Sequence, residues 1–395
     1  MITLIGIGPG GPESLTIQAK KTIERADLLM GADRMLSALP ESGAERIAVY
    51  LPDEILSVLE TRHPRTPCVL YSGDPGFWSG ASLLVRRLEE KNIPFRVLPG
   101  LSSVQVLAAR LGRDWKDWTF LSAHGQYPDI LSRLKAGRPV FCLTGGKDGP
   151  AALCRQLTDA GLGDLTITVG EDLSYPGERV TTASAGSLTE RTFAPLNVVL
   201  AESAEHCPSR TPGLPDSAFL RGDTPMTKQE VRAVLLSKLA VRPSDVCWDI
   251  GAGTGSVSVE LALCGKEVWA VEQDAEACAL IRKNRTKFCA WNLRLVQGRA
   301  PEALDALPPP DKVFVGGSEG QLRPILRAAC EKNPNLRVCI SAITLETAHE
   351  AMEELSALGL EPEAVQLSVS RTRRAGRKHL LLAQNPVFLV VGGPE

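Results

Sequence analysis

The sequence predicts an α/β protein with two consecutive domains. The chain has 395 residues, more than one hydrophobic core usually holds. Strand-like apolar runs alternate with helical patterns in both halves, which indicates mostly parallel sheets covered by helices. A proline-rich stretch at 202–225 interrupts this alternation. We therefore expect domains at 1–205 and 223–395, joined by a linker at 206–222.

Composition excludes several classes of protein. The formal net charge is −2, which argues against a bulk nucleic-acid binder. No apolar run reaches the length of a membrane span, and the first residues lack the basic region of a signal peptide. The ten cysteines form no CxxC pair, so we expect neither disulfides nor a metal site. A cytoplasmic protein that binds neither membranes nor nucleic acid is expected.

The first half opens with a buried strand that runs into a Gly-rich turn. The predicted elements of this half are strands at 2–7, 27–30, 68–71, 95–98 and 140–143 and helices at 16–26 and 82–90. Three of the strands run into loops rich in Gly, Pro or Ser: Ser72–Gly76, Pro99–Ser103 and Thr144–Gly146. Because parallel strands end at one sheet edge, these loops are predicted to line one crevice. A simple β-turn would also explain Gly73–Gly76.

The opening turn contains a GxGxxG pattern, Gly6–Gly11, which alone is a weak sign of dinucleotide binding. Pro9 stiffens this turn, and the next apolar strand ends in no obvious acid, so an NAD site is not predicted. The cofactor-binding residues predicted for this half are Pro9, Gly73, Asp74, Pro75, Ser102, Ser103, Thr144 and Gly145.

The second half restarts the alternation. Its predicted elements are helices at 227–239, 256–263 and 276–287 and strands at 245–250, 267–271, 293–296, 312–315, 337–340, 365–370 and 380–391. The last strand has no helix before it, so we expect a closing antiparallel pair. Pro386 would then require an edge or a bulge, because proline donates no ladder hydrogen bond.

The strongest motif of the chain joins the strand at 245–250 to the helix at 256–263. Its glycines follow a GxGxG pattern, unlike the GxGxxG of dinucleotide sites. Glycines allow close approach of a ligand, and the following helix offers free N–H groups to a carboxylate, such as that of S-adenosylmethionine. The cofactor-binding residues predicted here are Asp249, Gly251, Ala252, Gly253, Thr254 and Gly255.

Three further strand ends complete the predicted site. Glu272, followed by Gln273, is placed to accept the ribose hydroxyls of the cofactor. Gly298 and Ala300 are predicted to face the adenine. Gly316 and Gly317 leave room for a bulky substrate, and the Asn/Asp-Pro-Pro-aromatic motif of nucleic-acid N-methyltransferases is missing at that point.

These motifs resemble two known families. The first half is similar to tetrapyrrole (corrin/porphyrin) methylases in GIGPG, SGDPGFW and PGLSS, which implies a fold of two α/β subdomains. The second half resembles the Rossmann-like class I methyltransferases of cobalamin synthesis. It shares with them Pro225–Lys228, then DIGAGTGS, VEQ, QGRAPE and VGGS. The resemblance adds Thr227 to the cofactor-binding residues. Ser122–Gln126 departs from the family stretch SxHGR at Gln126, and His124 could equally be a loop histidine.

The resemblance implies S-adenosylmethionine as cofactor and a precorrin-type tetrapyrrole as substrate. It implies methylation at C5 by the first half, and methylation at C15 with loss of an acetate carboxyl group by the second. Both module types commonly self-associate, so a homo-oligomer is expected. No catalytic residue is assigned, because the methyl sulfonium is already activated and needs mainly alignment.

A basic stretch at 370–378 suggests contacts to the many carboxylates of a precorrin, and Arg373 and Arg374 are predicted to bind substrate. A solvated hairpin loop explains the same stretch equally well. Two other functions stay open: an RNA or protein methyltransferase, and a non-catalytic sensor of S-adenosylmethionine.

Overall fold

The computed structural model describes residues 1–123, 129–145, 149–205 and 212–394. The chain divides into two compact units: unit 1 is Met1–Ile130 with Arg138–Ser203, and unit 2 is Leu131–Gly137 with Ala204–Glu395. The domain limits expected from the sequence stay a prediction. Residues 206–211 of the expected linker, as well as His124, Gln126 and Gly146, lie outside the described residues. Among the helices that are described, none combines the length and the hydropathy of a membrane span.

Unit 1 contains two sheets, and the first is wholly parallel. Its strands are β1 (Ile2–Gly6), β2 (Leu28–Gly31), β3 (Glu45–Ala48), β4 (Pro67–Tyr71) and β5 (Phe95–Leu98). They pair in the order β3-β2-β4-β1-β5. The accompanying helices are α1 (Ile17–Glu24), α2 (Asp33–Ser37), α3 (Pro52–Arg62), α4 (Ala81–Glu90) and α5 (Ser103–Leu111). Every residue of β1 and β4 is buried, as expected for central strands covered on both faces.

The second sheet of unit 1 is mixed. Its strands are β6 (Thr119–Ser122), β7 (Val140–Thr144), β8 (Thr166–Glu171), β9 (Arg179–Ser184) and β10 (Asn197–Ala201), in the order β6-β7-β10-β8-β9. Helices α6 (Ile130–Leu134) and α7 (Pro150–Asp159) flank β7 in the sequence. Only β6 and β7 pair in parallel. This sheet departs from the mostly parallel arrangement expected of the chain, because the short connection between β8 and β9 cannot make a parallel crossover.

Unit 2 is built on a seven-stranded sheet and a separate hairpin. Its strands are β11 (Val246–Ile250), β12 (Glu267–Glu272), β13 (Leu293–Gln297), β14 (Lys312–Val315), β15 (Arg337–Ala342), β16 (Glu363–Leu367), β17 (Ser370–Ala375), β18 (Lys378–Ala383) and β19 (Val387–Gly392). Its helices are α8 (Gln229–Leu239), α9 (Ser256–Cys264), α10 (Ala275–Lys287), α11 (Leu322–Lys332) and α12 (Leu345–Ala357). The order of the main sheet is β13-β12-β11-β14-β15-β19-β16, parallel from β13 to β15.

The end of the chain closes this sheet. β19 pairs antiparallel with both β15 and β16, which confirms the predicted closing antiparallel pair. The predicted strands at 365–370 and 380–391 are wrong in extent, because each is divided. β17 and β18 leave the sheet as their own hairpin. Pro386 lies in the gap between β18 and β19, where no ladder hydrogen bond is lost.

Candidate active sites

Unit 2 holds a cavity of about 880 Å³ at the carboxyl ends of its parallel strands. The ends of neighbouring parallel strands meet at one edge of a sheet, which is the usual position of ligands in open α/β folds. The predicted residues that line this cavity are Thr227, Asp249, Gly251, Ala252, Gly253, Thr254, Glu272, Gln273, Gly298, Ala300, Gly316 and Gly317. Gly255, Arg373 and Arg374 are not among the lining residues.

The loop between β11 and α9 is shaped by its glycines. Gly251, Gly253 and Gly255 all have positive φ, at 70°, 55° and 75°. A Cβ on Gly251 would lie 2.7 Å from the Gly317 carbonyl oxygen, so the loops after β11 and β14 can approach this closely only with glycine at position 251. At Gly255 an added Cβ would meet Ile281 at 3.0 Å, which places this glycine against α10 rather than in the cavity.

Glu272, the last residue of β12, binds the loop between β11 and α9, which we call the Gly loop. One of its carboxylate oxygens accepts the Gly253 N–H at 2.8 Å, and the other accepts the N–H groups of Gln273 and Asp274 at 2.8 and 2.9 Å. The carboxylate is thereby held at the rim of the cavity, at the strand end from which an acid reaches ribose hydroxyls in related sites. This arrangement fits the ribose of an adenosyl cofactor.

Asp249 lies fully buried under the same loop. The Ser258 hydroxyl donates to one of its carboxylate oxygens, and the second oxygen has no hydrogen-bond partner among the described residues. Burial raises the pKa of this carboxyl group to about 7. Asp249 is therefore largely protonated below neutral pH.

A segment that we call the strap, residues 212–228, covers part of this cavity. Thr224, Pro225, Met226 and Thr227 of the strap line it. Side chains of α8, α9 and α10 hold the strap at several points along its length. The Asn284 amide donates to the carbonyls of Leu220 and Thr254 at 3.0 and 2.9 Å, which ties the strap to the Gly loop.

A buried guanidinium group holds the rest of the strap. Arg232 is fully buried and donates to Glu260 at 2.6 Å, to Asp216 at 3.0 Å and to the carbonyl of Thr227. Glu260 also accepts the Gly213 N–H at 2.6 Å. This network could not be predicted from the sequence. Arg232, Glu260 and Asp216 lie apart in the chain, and each alone looks like an ordinary surface charge.

Unit 1 holds a second cavity, of about 330 Å³. The predicted residues that line it are Pro9, Gly73, Asp74, Ser102, Ser103, Thr144 and Gly145. Pro75 is not among them, because it packs behind the loop close to Gly6. Among the lining residues that the sequence did not predict, Arg34, Tyr175 and Asn197 come from elements distant in the chain, and Trp78 comes from the loop of Gly73 and Asp74.

Four glycines bring the loops of unit 1 together. Gly8 and Gly73 exchange backbone hydrogen bonds of 3.3 and 2.8 Å. A Cβ on Gly100 would lie 2.7 Å from the Gly6 carbonyl carbon, so the first turn and the loop after β5 touch through backbone alone. The Asp74 carboxylate accepts the N–H groups of Gly76 and Gly100 at 2.8 and 3.1 Å. In the described residues Asp74 therefore orders two of the loops around the cavity.

The cysteines of the described residues are free thiols, and most are buried. Burial raises the pKa of Cys142 and of Cys154 to about 12. Thiols with such pKa values stay protonated and are poor nucleophiles.

Comparison with known proteins relates the two halves to two families. The family model for tetrapyrrole (corrin/porphyrin) methylases matches residues 1–189, and that for the precorrin methyltransferase domain matches residues 218–391. Precorrin-6Y C(5,15)-methyltransferase (decarboxylating) from Sinorhizobium sp is 35% identical over 367 residues, which cover 91% of this chain and 88% of that protein. The protein of the same name from Mycobacterium tuberculosis is 31% identical over 372 residues, which cover 91% of this chain and 92% of that protein.

A shorter relative matches less than half of the chain. It is the probable cobalt-precorrin-6B C(15)-methyltransferase (decarboxylating) of Pyrobaculum calidifontis. It is 45% identical over 188 residues, which cover 46% of this chain and 96% of that protein. A protein of this kind therefore exists with one module, where the present chain has two.

Proposed function

This chain belongs to the family of precorrin-6Y C5,15-methyltransferases (decarboxylating), and we propose that it transfers two methyl groups from S-adenosylmethionine to a precorrin and removes one carboxyl group during cobalamin synthesis. The identity of 35% to a relative of this name, over 91% of the chain, is the observation that supports the proposal most strongly. We assign the C5 methylation to unit 1 and the C15 methylation with decarboxylation to unit 2.

The residues of both cavities fit S-adenosylmethionine. In unit 2 Gly251 and Gly253 have positive φ and line the cavity with their backbone, and Glu272 supplies a carboxylate for the ribose hydroxyls. In unit 1 Gly73 lines the cavity beside the hydroxyl groups of Ser102, Ser103 and Thr144, and Gly100 lets the loop after β5 approach the loop of Gly73. When bound, the cofactor supplies an activated methyl group.

The residues then have mainly to orient the substrate. A methyl transfer needs the ring carbon, the methyl group and the sulfur in line, and positioning alone removes much of the barrier. Gly316 and Gly317 leave space for the substrate beside the part of the unit 2 cavity in which we place the cofactor. The loss of carbon dioxide can use the conjugated tetrapyrrole as the electron sink, so no protein base is assigned.

We further propose a cytoplasmic enzyme that self-associates and acts on a small-molecule substrate, with no nucleic-acid or membrane partner. The size of the cavities supports a small molecule, since 880 Å³ is within the range of enclosed ligand sites.

The test is turnover of precorrin-6Y, offered with and without cobalt, in the presence of S-adenosylmethionine carrying a ¹³C methyl group. We expect a product that has gained two labelled methyl groups, at C5 and C15, and has lost the mass of one carbon dioxide. Label that appears in RNA or protein from a cell extract, with none in the precorrin, would contradict the proposal.

A further inference from the structure

The cavity of unit 2 extends well beyond the residues predicted to bind the cofactor. Those residues end β11, β12 and β13, whereas the other end of the cavity is formed where β15, β16 and β19 meet. β13 and β16 are six positions apart in the sheet, so the lining spans roughly 30 Å. We call the end formed by Ser341, Ile343, Leu367, Val369, Gln384 and Val387 the β15–β16 wall.

The β15–β16 wall is apolar or neutral. Ile343, Leu367, Val369 and Val387 present aliphatic side chains, and Ser341 and Gln384 present uncharged polar groups. Ile343 is 75% exposed, which is unusual for an isoleucine that lines a cavity. Such a surface suits the flat face of a conjugated macrocycle but offers no charge to the carboxylates at the edge of a precorrin.

One cation lies at this end of the cavity. Helix α8 packs on β15 and β19, and at the carboxyl end of α8 the carbonyl of Lys238 accepts from Arg337, the first residue of β15, at 2.6 Å. The helix therefore runs opposite to β15. Lys228, the residue before α8, consequently lies at the other end of β15, where the wall begins. It lines the cavity and is half-buried.

The neighbouring charges are already paired with one another. Arg232 binds Glu260 and Asp216, and Arg371 binds Glu230 and lies 2.9 Å from Asp216. Burial opposes ionisation of Asp216, but Arg371 and Arg232 hold its pKa below the usual value. No acid in the described residues pairs with the Lys228 ammonium group. The only other cation that lines the cavity, among the residues that the structure describes, is Arg299, which lies beside β13 and 3.8 Å from Glu319.

We propose that Lys228 binds a side-chain carboxylate of the tetrapyrrole while the macrocycle packs on the β15–β16 wall. This inference rests on the proposed function and names the substrate contact within it. The ion pair fixes the rotation of the ring about the wall, which decides the ring carbon that faces the methyl group. Lys228 thus acts as a substrate-binding residue that positions the ring.

The test compares full-length variants with precorrin-6Y and S-adenosylmethionine. For the unit 2 reaction, followed as loss of carbon dioxide, Lys228→Met should raise the KM for the precorrin about ten- to hundredfold, the expected loss for a charge-assisted hydrogen bond. The Kd for S-adenosylhomocysteine at unit 2 should stay unchanged. Lys228→Arg, which keeps the charge, should restore most of the lost affinity. Lys238→Met is the matched control, because Lys238 follows on the same helix but pairs with Glu363 and does not line the cavity.

An unchanged KM in Lys228→Met would overturn the proposal. So would a rise in the Kd for S-adenosylhomocysteine as large as the rise in KM, since Lys228 would then serve the cofactor. If the wild-type chain binds S-adenosylhomocysteine but leaves precorrin-6Y untouched, the proposed function fails, and this inference fails with it.

Discussion

The Asp249 carboxyl group links the stability of unit 2 to pH. Burial raises its pKa from the ordinary value of 3.8 to about 7 in the folded chain. Between these two values the folded state binds more protons than the unfolded state. The stability that this group contributes is therefore fully present below the lower value and is lost as the pH rises to about 7.

Asp249→Asn removes the charge while keeping the shape of the side chain. We expect the variant to gain about 2 kcal/mol in unfolding free energy relative to wild type between about pH 5.5 and pH 8.5, since one pKa unit corresponds to about 1.4 kcal/mol. Hydrogen exchange of unit 2 peptides at the two pH values measures this difference. If the unfolding free energies of the two proteins changed with pH in parallel, Asp249 would ionise with an ordinary pKa, which would contradict the prediction.

Glu272 is the residue on which cofactor binding in unit 2 should depend most. Glu272→Gln removes the charge that would strengthen the proposed hydrogen bonds to ribose hydroxyls, so we expect S-adenosylhomocysteine to bind about ten- to hundredfold more weakly there. Calorimetric titration measures the change. Glu276→Gln, an exposed acid in the first turn of α10, is the matched control. Equal affinities of the two variants would remove Glu272 from the site.

The Gly-loop residues could be predicted because their role is local. Gly251 and Gly253 act through their own backbone, so a strand, a turn and a helix in the sequence suffice to place them. The β15–β16 wall could not be predicted in this way. Ser341 and Val387 line one wall only because β19 pairs antiparallel with β15, in the register that aligns Ser341 with Leu389 and Ala342 with Phe388. The assignment of Arg373 and Arg374 to the substrate stays a prediction, and both lie exposed on the β17–β18 hairpin.

At the scale of elements, the strap shows the limit of local patterns most clearly. Its prolines and lack of period predicted a linker up to residue 222, yet Leu214 and Phe219 lie in the core of unit 2. The residues that hold it, Glu260 and Asn284, belong to α9 and α10 and follow the strap by dozens of residues. Strands with a continuous apolar run, such as β14, were by contrast predictable, because an apolar run in the sequence indicates that the strand is buried, and every residue of β14 is.

Arg232 is the residue that should matter most for the strap. Arg232→Met leaves Glu260 charged in the interior, and we expect unit 2 to lose about 3–5 kcal/mol of unfolding free energy. Because the strap lines the cavity, binding of S-adenosylhomocysteine in unit 2 should weaken as well. Peptide-resolved hydrogen exchange separates this loss from unit 1.

Lys238→Met serves as the comparison for this variant. Lys238 lies on the same helix, but its ion pair with Glu363 is exposed to solvent. Surface pairs of this kind contribute at most about 1 kcal/mol. A loss in Arg232→Met no larger than in Lys238→Met would mean that the buried network does not hold the strap.

At the scale of the whole molecule, we propose two cofactor sites in one chain. The sites have different architectures. The proposed site of unit 2 lies at the loop after the first strand of a Rossmann-like sheet, whereas that of unit 1 is lined by loops from a parallel and a mixed sheet. A side chain added at one of the glycines where two loops touch should therefore abolish cofactor binding in that unit and leave binding in the other unit unchanged.

The most direct measurement is calorimetric titration of the full chain with S-adenosylhomocysteine. We predict two bound ligands for wild type, and one each for Gly251→Val and Gly100→Val, where an added Cβ would meet backbone at 2.7 and 2.4 Å, respectively. Gly43→Ala, whose added Cβ would meet nothing within 4 Å, should bind two. A single bound ligand in the wild-type chain would contradict the account, because one unit would then be no methyltransferase.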